Sequence, residues 1–443
     1  MSTPPAPIES GLAVGSAEPA TAPAPVPVTR RLLPGFTRSL GLYLLHSAIF
    51  HIGLFGISDV VLNFYFVSLG YTSETIGVLQ AIARVGGMIT GVPVGLLADR
   101  IGARRLTIYS TILGAASYVP LLAWPTLPVL LASRMVLGIS FSAAFVAASP
   151  LLLTLVARAY RTHAFAYFQI ITLGATSLGS VIGGFLPGLA SDVLALEGAG
   201  IGTGQPSAAY AATLTIGGVL LLISIVPLFW LSDPLLATTR APRTERRRIP
   251  WLRLTYLSLP ILLFGISAGL TFPFYNLFFR ERFGVPDEAV GAILGVGWLC
   301  MGLVGLTTPW WEKRFGRATA LGIVMAIAAV AFAVLGAAAT LLVGVIAFVV
   351  AASVRNTFVP LYNPLVMESF SPELYNITSG FGSVLWSLGW FAASTVSGFW
   401  QASYGFGFLM SVVAGLVLLT GISAAVIFRR PRSKAGQPPL APV

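Results

Sequence analysis

Gly95-Leu96-Leu97-Ala98-Asp99-Arg100-Ile101-Gly102-Ala103-Arg104-Arg105 interrupts a long apolar run with one acid and three arginines, and hydrophobicity resumes immediately after it. A chain that leaves a bilayer for one tight turn and then re-enters has this pattern, because charged side chains are expelled from hydrocarbon. The surrounding chain has 443 residues, 56% of them hydrophobic and 9% charged. Its mean hydropathy is +0.87. Soluble domains carry about 25% charged residues, so this chain has too little polar surface to face water. It reads as an all-α integral membrane protein. The single cysteine, Cys300, lies in an apolar run, which leaves neither a disulfide framework nor a cysteine metal site.

A spanning helix needs about 20 apolar residues. That criterion predicts twelve transmembrane helices: 40–68, 74–98, 105–123, 128–154, 164–188, 209–232, 254–279, 288–311, 318–339, 342–367, 375–400 and 404–428. They group into two six-helix bundles, 39–232 and 254–430, joined by a basic linker, 233–253. Residues 1–38, rich in Pro, Ala, Ser and Thr, lack apolar periodicity and read as a disordered tail, with a second tail at 431–443. The loops and tails on the side of Asp99–Arg105 hold 21 of the 26 Lys and Arg, and the opposite loops hold only Arg280 and Arg282. Both termini and the linker are therefore expected in the cytoplasm. The net charge of +11 is then a topology signal, and no nucleic-acid partner is expected.

The two bundles carry an internal repeat. Leu69-Gly70 through Gly77 lines up with Phe283-Gly284 through Gly291 at an offset of 214 residues. The same offset sets Arg314 opposite Arg100 and Gly316 opposite Gly102, while Lys313 takes the Asp99 position and Pro309 that of Gly95. Upstream, Leu54–Ser58 recurs as Leu263–Ser267. These matches imply two pseudo-symmetric halves.

The pattern G-x-x-x-D-R-x-G-x-R-R resembles the signature loop between the second and third helices of the major facilitator superfamily. Gly95, Asp99, Arg100, Gly102, Arg104 and Arg105 occupy its fixed positions. The resemblance covers about 40–430 and implies two parallel six-helix halves with a substrate site between them. It also implies a cytoplasmic gate at this loop, closed when Asp99 meets the loop arginines and the start of helix eleven at Ser371-Pro372-Glu373. Arg314 and Gly316 would form its counterpart in the second half.

Four charges fall well inside predicted helices: Asp59, Arg84, Arg134 and Arg355. Each is unfavourable by about 2.5–3.5 kcal/mol at a helix centre, which is tolerated when the groups pair or face water. Counted along their helices, Asp59, Arg84 and Arg134 share a layer in the outer half of the membrane, and Arg355 lies near the midplane. Arg134-Met135-Val136-Leu137-Gly138 resembles the R-x-x-x-G element of proton-coupled drug antiporters, in which an acid on helix one is the usual partner of the arginine. Asp59 fits that role, with Asn63 one turn on. The helix-five element of those antiporters is only partly present: Gly179, Gly183 and Gly184 are kept, but Ser180 stands where its proline belongs and Ala175 where it begins. Small residues for close helix packing explain these positions equally.

Asn356, Tyr362 and Asn363 with Arg355 make helix ten the most polar span, and Tyr275, Asn276, Trp386 and Trp390 offer amide and aromatic cavity wall. His46 and His51 are read as packed residues of helix one. The expected function is proton-coupled efflux of a small organic, drug-like compound by alternating access. The protein would be a monomer in the plasma or inner membrane, with no cofactor beyond a proton gradient and no metal. Uptake or exchange of a small organic anion clamped by Arg84, Arg134 and Arg355 is the alternative. An integral membrane lipid-modifying enzyme is a third reading, but the chain has no H-E-x-x-H and no phosphate-binding glycine loop.

Overall fold

The computed structural model describes residues 35–198, 200–231, 249–371 and 374–428. The expected tails up to residue 34 and from 431, the linker from 233 to 248, and Pro372 and Glu373 lie outside the described residues. The described chain is helical throughout. The long helices are α1 (Arg38–Ser68), α2 (Ser73–Ile101), α3 (Ala103–Ala123), α4 (Leu127–Thr154), α5 (Arg161–Val193) and α6 (Ser207–Phe229). They continue as α7 (Leu259–Phe283), α8 (Asp287–Gly305), α9 (Arg317–Ala337), α10 (Leu341–Met367) and α11 (Tyr375–Ile427). Among the described residues, ten helices are long and apolar enough to cross a membrane, namely α1 and α3 to α11. Helix α2, 29 residues long, packs beside them against α4 and α11.

The predicted helices 375–400 and 404–428 are the two parts of α11, which meet at a kink where Gly405 takes the non-helical φ +73°, ψ 174°. The predicted helices 254–279 and 288–311 each shed a short piece, Trp251–Leu257 and Thr308–Phe315. Pro260 and Pro309 stand at the starts of the segments after these breaks, where a missing N–H does no harm.

The repeat reappears in backbone geometry. Helices α3 and α9 are both 21 residues long and start 214 residues apart. A single residue turns the chain before each, Gly102 at φ +87°, ψ 149° and Gly316 at φ +73°, ψ 151°. Gly70 and Gly284, also 214 apart, take φ +86° and +64°. Side chains with a Cβ avoid that region, so the turns demand glycine twice over.

Within the first half, small residues bring helices into contact. A Cβ on Gly179 would lie 2.6 Å from the Ile52 carbonyl oxygen, and one on Gly183 would lie 2.8 Å from Ile57 Cα. Gly184 instead faces the second half, where its Cβ would meet the Asp287 carbonyl at 2.7 Å. The glycines of the partial helix-five element are thus packing positions, two against α1 and one across the seam. The halves meet chiefly where α5 packs on α8 and α2 on α11, and the last turns of α1 also touch α7 and α8.

Candidate functional site

Helix α1 is not uniformly α-helical. Residues Ile52–Ser58 form a π-helical segment, and Asp59 is the first residue after it. A π-bulge inserts an extra residue into the helix and re-aims the side chains beyond it. Ser58 and Val60 are buried, yet Asp59 between them is exposed. Among the described residues its carboxylate has no hydrogen-bond or ion-pair partner, and the charges that act on it are Arg134 and Arg84. Asp59 is thus an exposed acid within a span, in electrostatic reach of two arginines of the same bundle.

The expected Asp59–Arg134 ion pair is not formed. Arg134 donates from Nη2 to Gln80 Oε1 at 2.6 Å and from Nε to the Leu79 carbonyl at 3.3 Å. The reach depends on Gly138, whose absent side chain leaves room for the Ala83 backbone and lets α4 press against α2. Gln80 passes the contact on, Nε2 donating to Asn63 Oδ1 at 2.7 Å. Asn63 Nδ2 donates to Asn276 Oδ1 at 2.9 Å and to the Pro273 carbonyl at 2.5 Å. Asn276 Nδ2 returns to the Val60 carbonyl at 2.8 Å. The structure thereby brings Asn63 and Asn276, 1% and 3% exposed, together across the two halves.

Arg84 lies over the Trp390 ring at 4.0 Å and is 5.7 Å from that of Phe141. Trp390 belongs to an aromatic wall in the second half. Its ring meets Phe272 at 5.6 Å and Trp386 at 5.5 Å, and Phe272 meets Trp298 at 6.0 Å. Trp298 and Phe348 are 214 residues beyond Arg84 and Arg134, and Arg355 is 214 beyond Phe141. The halves have exchanged arginine for aromatic at these equivalent positions, two arginines falling in the first half and one in the second.

Arg355 stands apart from the charged layer. It is 1% exposed, donating to Thr271 Oγ1 at 3.0 Å, the Ser267 carbonyl at 3.4 Å and the Tyr275 hydroxyl at 3.4 Å. The rings of Phe272 and Phe332 lie 4.5 and 5.1 Å from its guanidinium. These contacts gather where α7 breaks, after Thr271, into a 3-10 turn at Phe272–Phe274. A helix C-terminus carries partial negative charge, so the broken helix serves as counter-charge. Pro273 causes the break by removing an N–H, and the Gly269 and Leu270 carbonyls accept from Ser394 and Ser397 instead. The expected three-arginine clamp is therefore not assembled here. Tyr362 is also diverted, donating its hydroxyl to the Leu257 carbonyl at 2.8 Å. Asn356 and Trp386 are half-buried, Asn363 is exposed, and Tyr275 packs its ring on Phe348 at 4.7 Å.

At the end with the Gly102 turn, Arg104 donates to the Leu228 and Phe229 carbonyls at 2.8 and 3.0 Å, capping α6. Arg100, Arg105 and Arg314 are exposed. The side chain of Asp99 lies outside the described ones, as do the surroundings of Gly95, so the expected gate contact of Asp99 does too. In the second half it is Arg317 that makes ion pairs, with Glu312 and Glu368. At the opposite end, Asp287 of α8 is held by Arg280 of α7 and by the Tyr210 hydroxyl of α6, which donates to it at 2.7 Å. Arg280 also donates to Tyr210 at 3.2 Å and lies 4.6 Å from the Phe64 ring. Tyr210 and Phe64 belong to the first half, Arg280 and Asp287 to the second. Sequence reading counted Arg280 as an ordinary loop charge and passed over Gln80, Tyr210 and Asp287.

The family profile described as Major Facilitator Superfamily matches residues 44–394 and, again, 257–442. The chain belongs to the major facilitator superfamily. Its fold is shared by a solved nucleoside transporter, NupG, at TM-score 0.69 and 17% identity, covering 89% of this chain and 100% of that one. A bacterial homologue of the iron transporter ferroportin, in an inward-facing state, matches at 0.69 and 15%, covering 89% and 99%. A bacterial homologue of the human lysosomal transporter Spinster, inward-facing and occupied, matches at 0.65 and 15%, covering 88% and 93%. No curated protein matched by sequence. This superfamily member is a multi-pass membrane transporter of a small molecule and not an enzyme, so the lipid-modifying alternative is set aside.

Proposed function

We propose that this superfamily member is a proton-coupled secondary transporter that exports a small organic solute by alternating access, with Asp59 carrying the coupled proton. One observation carries the reading: an ionisable carboxyl at the irregular point of α1, exposed and without a direct partner among the described residues, beside Arg84 and Arg134. A group so placed changes its proton affinity with the position of a guanidinium or of water. The solute would lie between this polar wall and the rings of Phe272, Trp298, Trp386 and Trp390. An amphipathic aromatic compound suits such a site.

In this reading α2 is a further span and α11 two spans bent at Gly405, which makes twelve crossings. The Gly102 end, which holds most Lys and Arg, is cytoplasmic, as are both termini. The Asn63–Asn276 contact and the Tyr210–Asp287–Arg280 cluster then close the outer end. The protein acts as a monomer in the plasma or inner membrane, with protons as its other cargo.

The test is a thermal-shift screen of the purified protein across pH against aromatic amphiphiles, small organic anions and sugars. Aromatic amphiphiles are expected to raise Tm, and Trp390→Ala to remove the effect. Stabilisation by an anion that Arg355→Gln abolishes would replace this reading with the anion alternative. Without ligand, Arg355→Gln is expected to lower Tm outright. It orphans acceptors at the α7 break, an effect of about 1–3 kcal/mol.

A further inference from the structure

Gln80 touches both the charged layer and the contact between the halves. Its carbonyl oxygen accepts from Arg134 and its amide nitrogen donates to Asn63, so one side chain uses both ends. Asn63 in turn spans the seam to Asn276 and to the carbonyl at the α7 break. The chain Arg134–Gln80–Asn63–Asn276 is unbroken, and every link in it is 2.9 Å or shorter. An ionised carboxylate within reach would compete for Arg134 with the neutral amide, because charge-assisted bonds are the stronger ones. Here Arg134 stays on Gln80 and Asp59 has no direct partner among the described residues, the arrangement suited to a protonated Asp59.

We propose that Gln80 is a positioning residue that couples the proton at Asp59 to closure of the outer end. When Asp59 gives its proton to crevice water, the carboxylate draws Arg134 away and Gln80 loses its acceptor role. Asn63 then loses the orientation it receives from Gln80, and the Asn63–Asn276 contact releases α1 from α7. The ionisable groups that face Asp59 are Arg84 from α2, Arg134 from α4 and Tyr118 from α3. Helix α7 presents the Asn276 amide to its backbone. The inference rests on the reading of Asp59 as the proton carrier, and its test separates the two.

Spin labels at Ile201→Cys and Glu281→Cys, in a Cys300→Ser background, report separation across the outer end. Distances are measured at acid and alkaline pH in otherwise unchanged protein and in Asp59→Asn, Gln80→Met and Gln80→Leu. Met fills the volume of Gln but makes neither bond, and Leu keeps the test available should Met disturb the fold. The unchanged protein is expected to raise its open fraction at alkaline pH by about 5–150-fold, the usual range for coupled sites. Both Gln80 variants are expected to hold one distance distribution at both pH values. A response in the variants equal to that of the unchanged protein would overturn the role of Gln80 and leave Asp59 standing. An unchanged protein that is itself insensitive to pH, matching Asp59→Asn, would overturn the proton reading and this inference with it.

Discussion

Asp59→Asn is expected to abolish pH-driven transport and to leave solute counterflow running. Asn keeps the size and polarity of the side chain at the end of the π-helical segment but has no proton to exchange. The crevice therefore keeps its shape, and Arg134 keeps its bonds to Gln80 and the Leu79 carbonyl. Solute binding and exchange need no net proton movement, whereas uphill flux does. Loss of an essential proton-transfer group lowers rates by about 10²–10⁴-fold, and driven flux in proteoliposomes should fall by that order. Counterflow measured in the same vesicles should stay within a factor of a few, and its loss would mean that the variant damages the site.

The second large effect lies at the outer end. Removing one partner of a buried ion pair is unfavourable by about 3–5 kcal/mol, because the other charge is left desolvated and alone. Asp287 is 4% exposed and Arg280 14%, so solvent screens part of this and about 2 kcal/mol is a reasonable share. Arg280→Gln is thus expected to shift the population towards the outward-open form by roughly 30-fold, at tenfold per 1.4 kcal/mol. Tyr210→Phe removes two hydrogen bonds, one to each member of the ion pair, but keeps the pair itself, so its shift should be smaller. The measurement is the rate at which an impermeant maleimide, added outside, labels Phe55→Cys one turn before Asp59. Equal labelling rates with and without Arg280→Gln would show that the cluster does not hold the outer end closed.

Much of this architecture was legible in the residues, for reasons that also explain what was missed. Bilayer thickness imposes long apolar runs, and charged turns such as Asp99–Arg105 punctuate them, so most of the helices could be placed. The offset of 214 survives in the left-handed Gly102 and Gly316 because a one-residue turn admits no Cβ. The division near residues 400–404 was legible too, and the structure has its kink at Gly405. Asp59, Arg84 and Arg134 stood out as charges where charge is unfavourable, and the structure does gather them. Arg355 stood out for the same reason, yet its counter-charge is a helix end and two aromatic faces, which leave no acidic residue to find. Gln80 is one neutral amide in a helix of mixed polarity, and its importance lies in the two neighbours that packing supplies. Tyr210 reads as apolar, and Asp287 reads as an acid at a helix start. Only the meeting of the two halves makes them partners. The repeat did hold one unused signal: positions 84, 134 and 141 exchange arginine for aromatic with 298, 348 and 355.

The central claim is that Asp59 holds the proton exchanged for solute. It is tested most directly by the protons released when the solute identified by thermal shift binds purified protein in weakly buffered solution. The account predicts release of about one proton per bound solute, as linkage through a single carboxyl requires, and none in Asp59→Asn, which still binds. Equal proton release from the protein and from Asp59→Asn would contradict it.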